Sequence, residues 1–122
     1  MNRGQKKAFT ADELERLRAL TAANPFQRAV LGVAVDTMLR ASDLLALRVS
    51  HVRDDAGMIR ETFATGQRKD DDRTVLVSLT PKTREALAAH ILSAGISGDA
   101  KLFPICHRTF QRMVQAWARQ LT

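Results

Sequence analysis

Between Asn24-Pro25 and Leu39 the chain carries apolar residues on more sides of a helix than a surface position could tolerate. Phe26, Val30, Leu31, Ala34, Val35 and Met38 recur at helical spacing and make a wide stripe. Such a segment needs neighbours on most sides, so it predicts a central helix around which the other elements pack. The 122 residues suffice for one domain, or a piece of one, with a modest core.

The surrounding sequence is punctuated for helices first and strands second. Thr10-Ala11-Asp12-Glu13 is a capping box, and Leu14, Leu17 and Leu20 continue it at helical spacing. Residues 1–9, with Arg3, Lys6 and Lys7 and no apolar period, read as a basic arm or linker, which leaves 10–122 as the folded part. After the central helix, Ser42-Asp43 marks another helix start with Leu44, Leu45 and Leu47 behind it. Arg40 therefore falls in a turn between two helices, where a side chain can project while its backbone is held on both sides.

Beyond Leu47 the apolar period shortens to two. Val49 and His51, then Met58, Ile59 and Phe63, then Val75, Val77 and Leu79 predict three short strands, with turns at Asp54-Asp55-Ala56-Gly57 and around Asp70-Asp71-Asp72. Thr80-Pro81 opens a further helix with Leu87, Ile91 and Leu92 facing inward, and Gly95 ends it. A last helix runs from about Thr109, with Phe110, Met113, Val114 and Trp117 on one side. The expected class is α+β, mostly helical with a small three-stranded antiparallel sheet.

Composition narrows the partners. Nineteen Lys and Arg against thirteen Asp and Glu leave a net charge of +6, which favours a polyanion. With 45% apolar and 26% charged residues the chain has the make-up of a folded domain. No apolar run approaches the ~18 residues of a membrane span and there is no signal-peptide pattern, so the expectation is a cytoplasmic protein with no membrane partner. Cys106 is the single cysteine, which excludes an intrachain disulfide and a cysteine metal cluster; a half-buried, inert thiol is expected. Consecutive carboxylates at Asp70-Asp71-Asp72 point in different directions and read as a solvated turn. No metal or other cofactor is expected. Trp117 has the spacing of a core or subunit contact, with stacking on a base as the alternative, while His51 and His107 stand isolated.

One segment carries chemistry. Val35 to Val52, V-D-T-M-L-R-A-S-D-L-L-A-L-R-V-S-H-V, resembles the region around the first catalytic arginine of the tyrosine recombinase (phage integrase) family. Met58 to Leu87 resembles the family's hairpin and the Leu-Thr-Pro helix start that follows it, Leu102-Phe103-Pro104 its L-F-P, and Arg112 to Ala118 the helix beyond. The order is that of the first half of an integrase catalytic domain, from about Thr10 onward. The resemblance implies that Arg40 binds the scissile phosphate, that Lys69 protonates the leaving 5′ oxygen, and that Asp43 takes the family's acidic position. Arg40, Arg68, Lys69, Arg73 and Arg108 are the candidate DNA contacts.

The chain also departs from the family pattern. Lys69 is followed by three aspartates where the family has K-T-G, and the second box, His-x-x-Arg, has no counterpart, because His107 and Arg108 are adjacent. There is no tyrosine at all, so these residues cannot form a phosphotyrosyl intermediate alone. An arginine can fork onto a phosphate and a lysine can donate a proton, but without a nucleophile neither completes phosphoryl transfer. Two functions follow: a DNA-binding recombinase-type protein or fragment, inactive alone as an enzyme, or a non-catalytic module of integrase ancestry that binds DNA or pairs with an intact recombinase. Helices that the resemblance places against this half would leave apolar surface uncovered, so a homo-oligomer is expected.

Overall fold

A computed structural model describes residues 9–66 and 74–121. Helix α1, Ala11–Thr21, begins at the expected capping box: Glu13 N donates to Thr10 Oγ1 at 3.1 Å and Thr10 N donates to Glu13 Oε1 at 2.9 Å. Helix α2, Pro25–Thr37, is capped by Asn24, whose Oδ1 accepts from Gln27 N at 3.0 Å. Ala29, Val30, Leu31, Gly32 and Val33 of α2 are all buried, so the central helix foreseen from its stripe is the centre of the core. Two short helices follow, α3 (Ala41–Leu45) and α4 (Val49–Val52), then strands β1 (Thr62–Gly66) and β2 (Thr74–Ser78), then α5 (Pro81–Ala94) and α6 (His107–Gln120).

Among the described residues the sheet has two strands, not the three that alternation predicts. β1 and β2 pair antiparallel with Phe63 opposite Val77, both buried, while Leu76 beside them is 71% exposed. The first expected strand is the single helical turn α4. Val49 and Val52, at i and i+3, are fully buried and His51 is exposed, the reverse of what a strand with Val49 and His51 on one face requires. His51 Nδ1 accepts from Arg48 N at 2.8 Å and closes the turn. The Asp54 turn is present: Asp54 Oδ1 accepts from the backbone of Ala56 and Met58, and Gly57 takes φ +87°. The Asp70-Asp71-Asp72 turn lies outside the described residues, as does the arm at residues 1–8.

Leu102 and Phe103 are fully buried. Their segment is sewn to the chain after α3, with Leu102 N donating to Leu47 O at 2.9 Å and Val49 N to Ala100 O at 3.0 Å. His90 of α5 completes that seam. Its Nε2 lies 2.7 Å from Leu102 O, and because a carbonyl only accepts, Nε2 carries the proton. The ring is buried and packs between Phe26 and Phe103 at centroid distances of 5.4 and 5.6 Å. Trp117 is likewise core, its Nε1 donating to Gln27 Oε1 at 3.1 Å. Among the described residues no helix is long and apolar enough to cross a membrane.

Three apolar residues assigned inward by spacing face solvent instead: Leu20, Met38 and Leu92, at 51, 77 and 84% exposure. Met38 does so because α2 has already ended. It is the C-cap in the left-handed region, φ +57°, a conformation that favours glycine. Met38→Gly is expected to raise the unfolding free energy by about 1 kcal/mol, read from the urea midpoint at unchanged slope; a drop in stability would contradict the account of this cap.

Candidate nucleic-acid interface

The left-handed turn at Met38 reverses the chain just before Arg40. Arg40 is the N-cap of α3, in extended backbone (φ −64°, ψ 155°), and its side chain is exposed. The helix thus begins at Ala41, one residue before the Ser42-Asp43 signal. Asp43 is buried in the first turn of α3, where the helix dipole favours a carboxylate. The other acid near Arg40 in sequence, Asp36, is engaged elsewhere. Its Oδ2 accepts from Thr80 N at 2.8 Å and from Thr80 Oγ1 at 2.9 Å. Among the described residues no hydrogen bond or ion pair takes up the Arg40 guanidinium.

The Asp36–Thr80 contact joins the two segments on which the candidate site depends. Asp36 lies in the last turn of α2, which leads into Arg40. Thr80 caps α5 and lies one residue, Leu79, beyond β2, the returning strand of the hairpin, and β2 packs against α2. Arg68, Lys69 and Arg73 lie in the hairpin's connecting segment, outside the described residues. The base of that hairpin is therefore fixed to the helix that presents Arg40. Arg108 is exposed in the first turn of α6, and α6 packs against α3, the helix that Arg40 caps.

Sequence reasoning set Arg108, Arg112 and Arg119 apart from the apolar side of this helix, but took only Arg108 as a DNA contact and passed over the glutamines. Phe110, Met113, Val114 and Trp117 bury one side of α6, and Arg108, Gln111, Arg112 and Gln115 recur at i, i+3, i+4 and i+7 on exposed positions. No acidic residue occurs anywhere in α6. That spacing and the missing carboxylates were both present in the sequence. At the head of the same helix Cys106 is exposed, not half-buried, and shares a 3.3 Å hydrogen bond with Thr109 Oγ1. The Thr109 hydroxyl, followed by the Thr109 backbone N–H, holds the thiol below its usual range.

No family model matches the sequence, and no curated protein matches it either. Among solved structures, the crystal structure of XerA recombinase aligns with a TM-score of 0.72 at 18% identity, over 98% of this chain and 44% of that one. The chain has a tyrosine recombinase fold. At that identity the likeness is one of fold, and the chain spans less than half the length of the recombinase it matches. Within the recombinase fold, Arg40 stands at an exposed helix junction, and the two-stranded hairpin leads to Thr80, which is bonded to the helix preceding Arg40.

Two expectations follow. Asp36→Ala removes an acceptor from both the backbone and the hydroxyl of Thr80 and should cost about 1–2 kcal/mol of stability; an unchanged urea midpoint would show that the clamp carries no weight. Cys106 should alkylate with an apparent pKa below that of a free cysteine, and Thr109→Val should raise it, as read from iodoacetamide rates across pH. A rate profile indifferent to Thr109→Val would remove the hydroxyl as the cause.

Proposed function

We propose that this chain binds duplex DNA through Arg40 and the exposed polar face of α6, as a recombinase-type unit that grips phosphate without cutting. The observation that carries the reading is the exposed Arg40 guanidinium, set at a helix junction while the nearest acid in the preceding helix is spent on Thr80. A guanidinium so placed matches a phosphate oxygen pair in shape and charge. Arg108 and Arg112 extend the positive surface, and Gln111 and Gln115 between them suit base edges as well as phosphates. The XerA likeness supports the same reading at the level of fold.

Lys69 belongs to this proposal as a general acid that acts only when a nucleophile is supplied, and Arg68 and Arg73 as further backbone contacts. With no tyrosine among the 122 residues, the unit contributes binding, and an intact recombinase would have to supply the attack. A second reading, an interaction module that pairs with itself or with such a recombinase, is favoured by Met58 and Leu92, 66 and 84% exposed, near a groove lined by Ile59, Ile91 and Ile96. Sedimentation at micromolar concentration tests the self-pairing form of this module, and co-sedimentation with an intact recombinase tests the other; a DNA binder of this kind needs neither.

The direct test is duplex binding by fluorescence anisotropy across a salt series. Each of Arg40→Ala, Arg108→Ala and Arg112→Ala should weaken binding and lower the log–log salt slope by about 0.9. Binding that is absent at low salt, or indifferent to all three changes, would overturn the proposal.

A further inference from the structure

Arg18, Arg28 and Lys82 come from three different helices, α1, α2 and α5, and line one cleft of about 200 Å³. Two of these placements have ordinary explanations. Arg18 lies in the last turn of α1, where the dipole favours a cation, and Arg28 stands 3.6 Å from Glu85. Lys82 has none. It sits in the first turn of the long helix α5, a turn that holds no acidic residue, so the lysine adds to the positive end of the dipole instead of offsetting it.

Among the described residues Glu85 is the only carboxylate lining the cleft, and it does not neutralise it. Its side chain is 78% exposed and its separation from Arg28 is that of a loose, screened surface pair. The floor of the cleft is small by necessity. A Cβ on Gly32 would lie 2.7 Å from Thr83 Oγ1, so α2 and α5 approach too closely for any side chain there, and nothing from the floor fills the space. Thr83 is fully buried. At ~30 Å³ per water, the volume accommodates a hydrated tetrahedral anion.

We propose that this cleft is a phosphate-binding site in which the two guanidinium groups fork onto the anion's oxygens and Lys82 supplies a third positive contact. The phosphate belongs either to a small phosphate compound or to a DNA backbone, and the chemistry of recognition is the same for both. The first source is independent of the DNA-binding reading; the second rests on it.

The test uses the whole chain and inorganic pyrophosphate, with sodium chloride at matched ionic strength as the reference. The melting temperature should climb with pyrophosphate beyond the chloride reference. Arg28→Ala or Lys82→Ala should abolish that climb, with affinity reduced about tenfold or more, while Arg60→Ala, an equal loss of charge at an exposed loop position, should keep it. A climb that persists in Arg28→Ala and Lys82→Ala, or that disappears equally in Arg60→Ala, would overturn the site. The source is then read from duplex binding by the double variant Arg28→Ala/Lys82→Ala. A salt slope lowered by about 0.9, one phosphate no longer neutralised, places a DNA phosphate in the cleft, and an unchanged slope assigns it to a small phosphate compound; both uphold the site. If the chain binds no DNA, the pyrophosphate result stands by itself.

Discussion

Helix α5 lies so close to α2 that position 32 has no room for anything larger than hydrogen, and this approach governs what the rest of the molecule can do. It puts Thr83 against Gly32, Thr80 within reach of Asp36, and His90 against Phe26. The first contact sets the depth of packing and the second fixes where α5 starts. The third, through the His90 bond to Leu102, fixes the long connection to α6. Because only Leu79 separates β2 from Thr80, the hairpin inherits its position from the same packing. A protein interior this dense transmits small displacements, so the α2–α5 contact is the frame in which Arg40, the hairpin and α6 hold their places.

Much of this frame was legible in the sequence because the signals were local. The capping box at Thr10, Asn24-Pro25, Thr80-Pro81 and Gly95 mark helix ends through the hydrogen bonds and dihedral angles of single turns, and each stands within a residue of where it was read. What local reading missed depended on partners remote in sequence. Val49 and His51 alternate like a strand, yet Ala100 and Gly98 supply acceptors that let the chain coil into one turn there. Met38 and Leu92 have helical spacing on the right face, but one lies just past its helix end and the other has no element opposite it among those that pack on α5. His90 carries no motif at all. Its role exists only because Leu102 and Phe103 arrive from twelve and more residues downstream.

The candidate site divides along the same line. Arg40 was singled out from its flanking residues, and it lies exposed in the turn between two helices where the sequence put it. The diversion of Asp36 to Thr80 was not foreseeable, since by sequence distance Asp36 is as good a partner for Arg40 as for anything else. The α6 face was foreseeable and only partly read: a helix with an apolar stripe must present its remaining residues to water, and here those residues include arginine and glutamine without a single counter-charge.

Charge placement gives the strongest physical reason to look for anions on this surface. A domain that merely stays soluble can intersperse both signs, and each uncompensated cation raises the self-repulsion of the fold. This chain instead keeps carboxylates off α6 entirely and sets Lys82 in the first turn of α5, where the helix dipole disfavours a cation. Each choice is unfavourable or neutral for the isolated fold, and each becomes favourable once a phosphate is near. Where a fold accepts such costs at more than one place, a bound anion is the compensating interaction to test for.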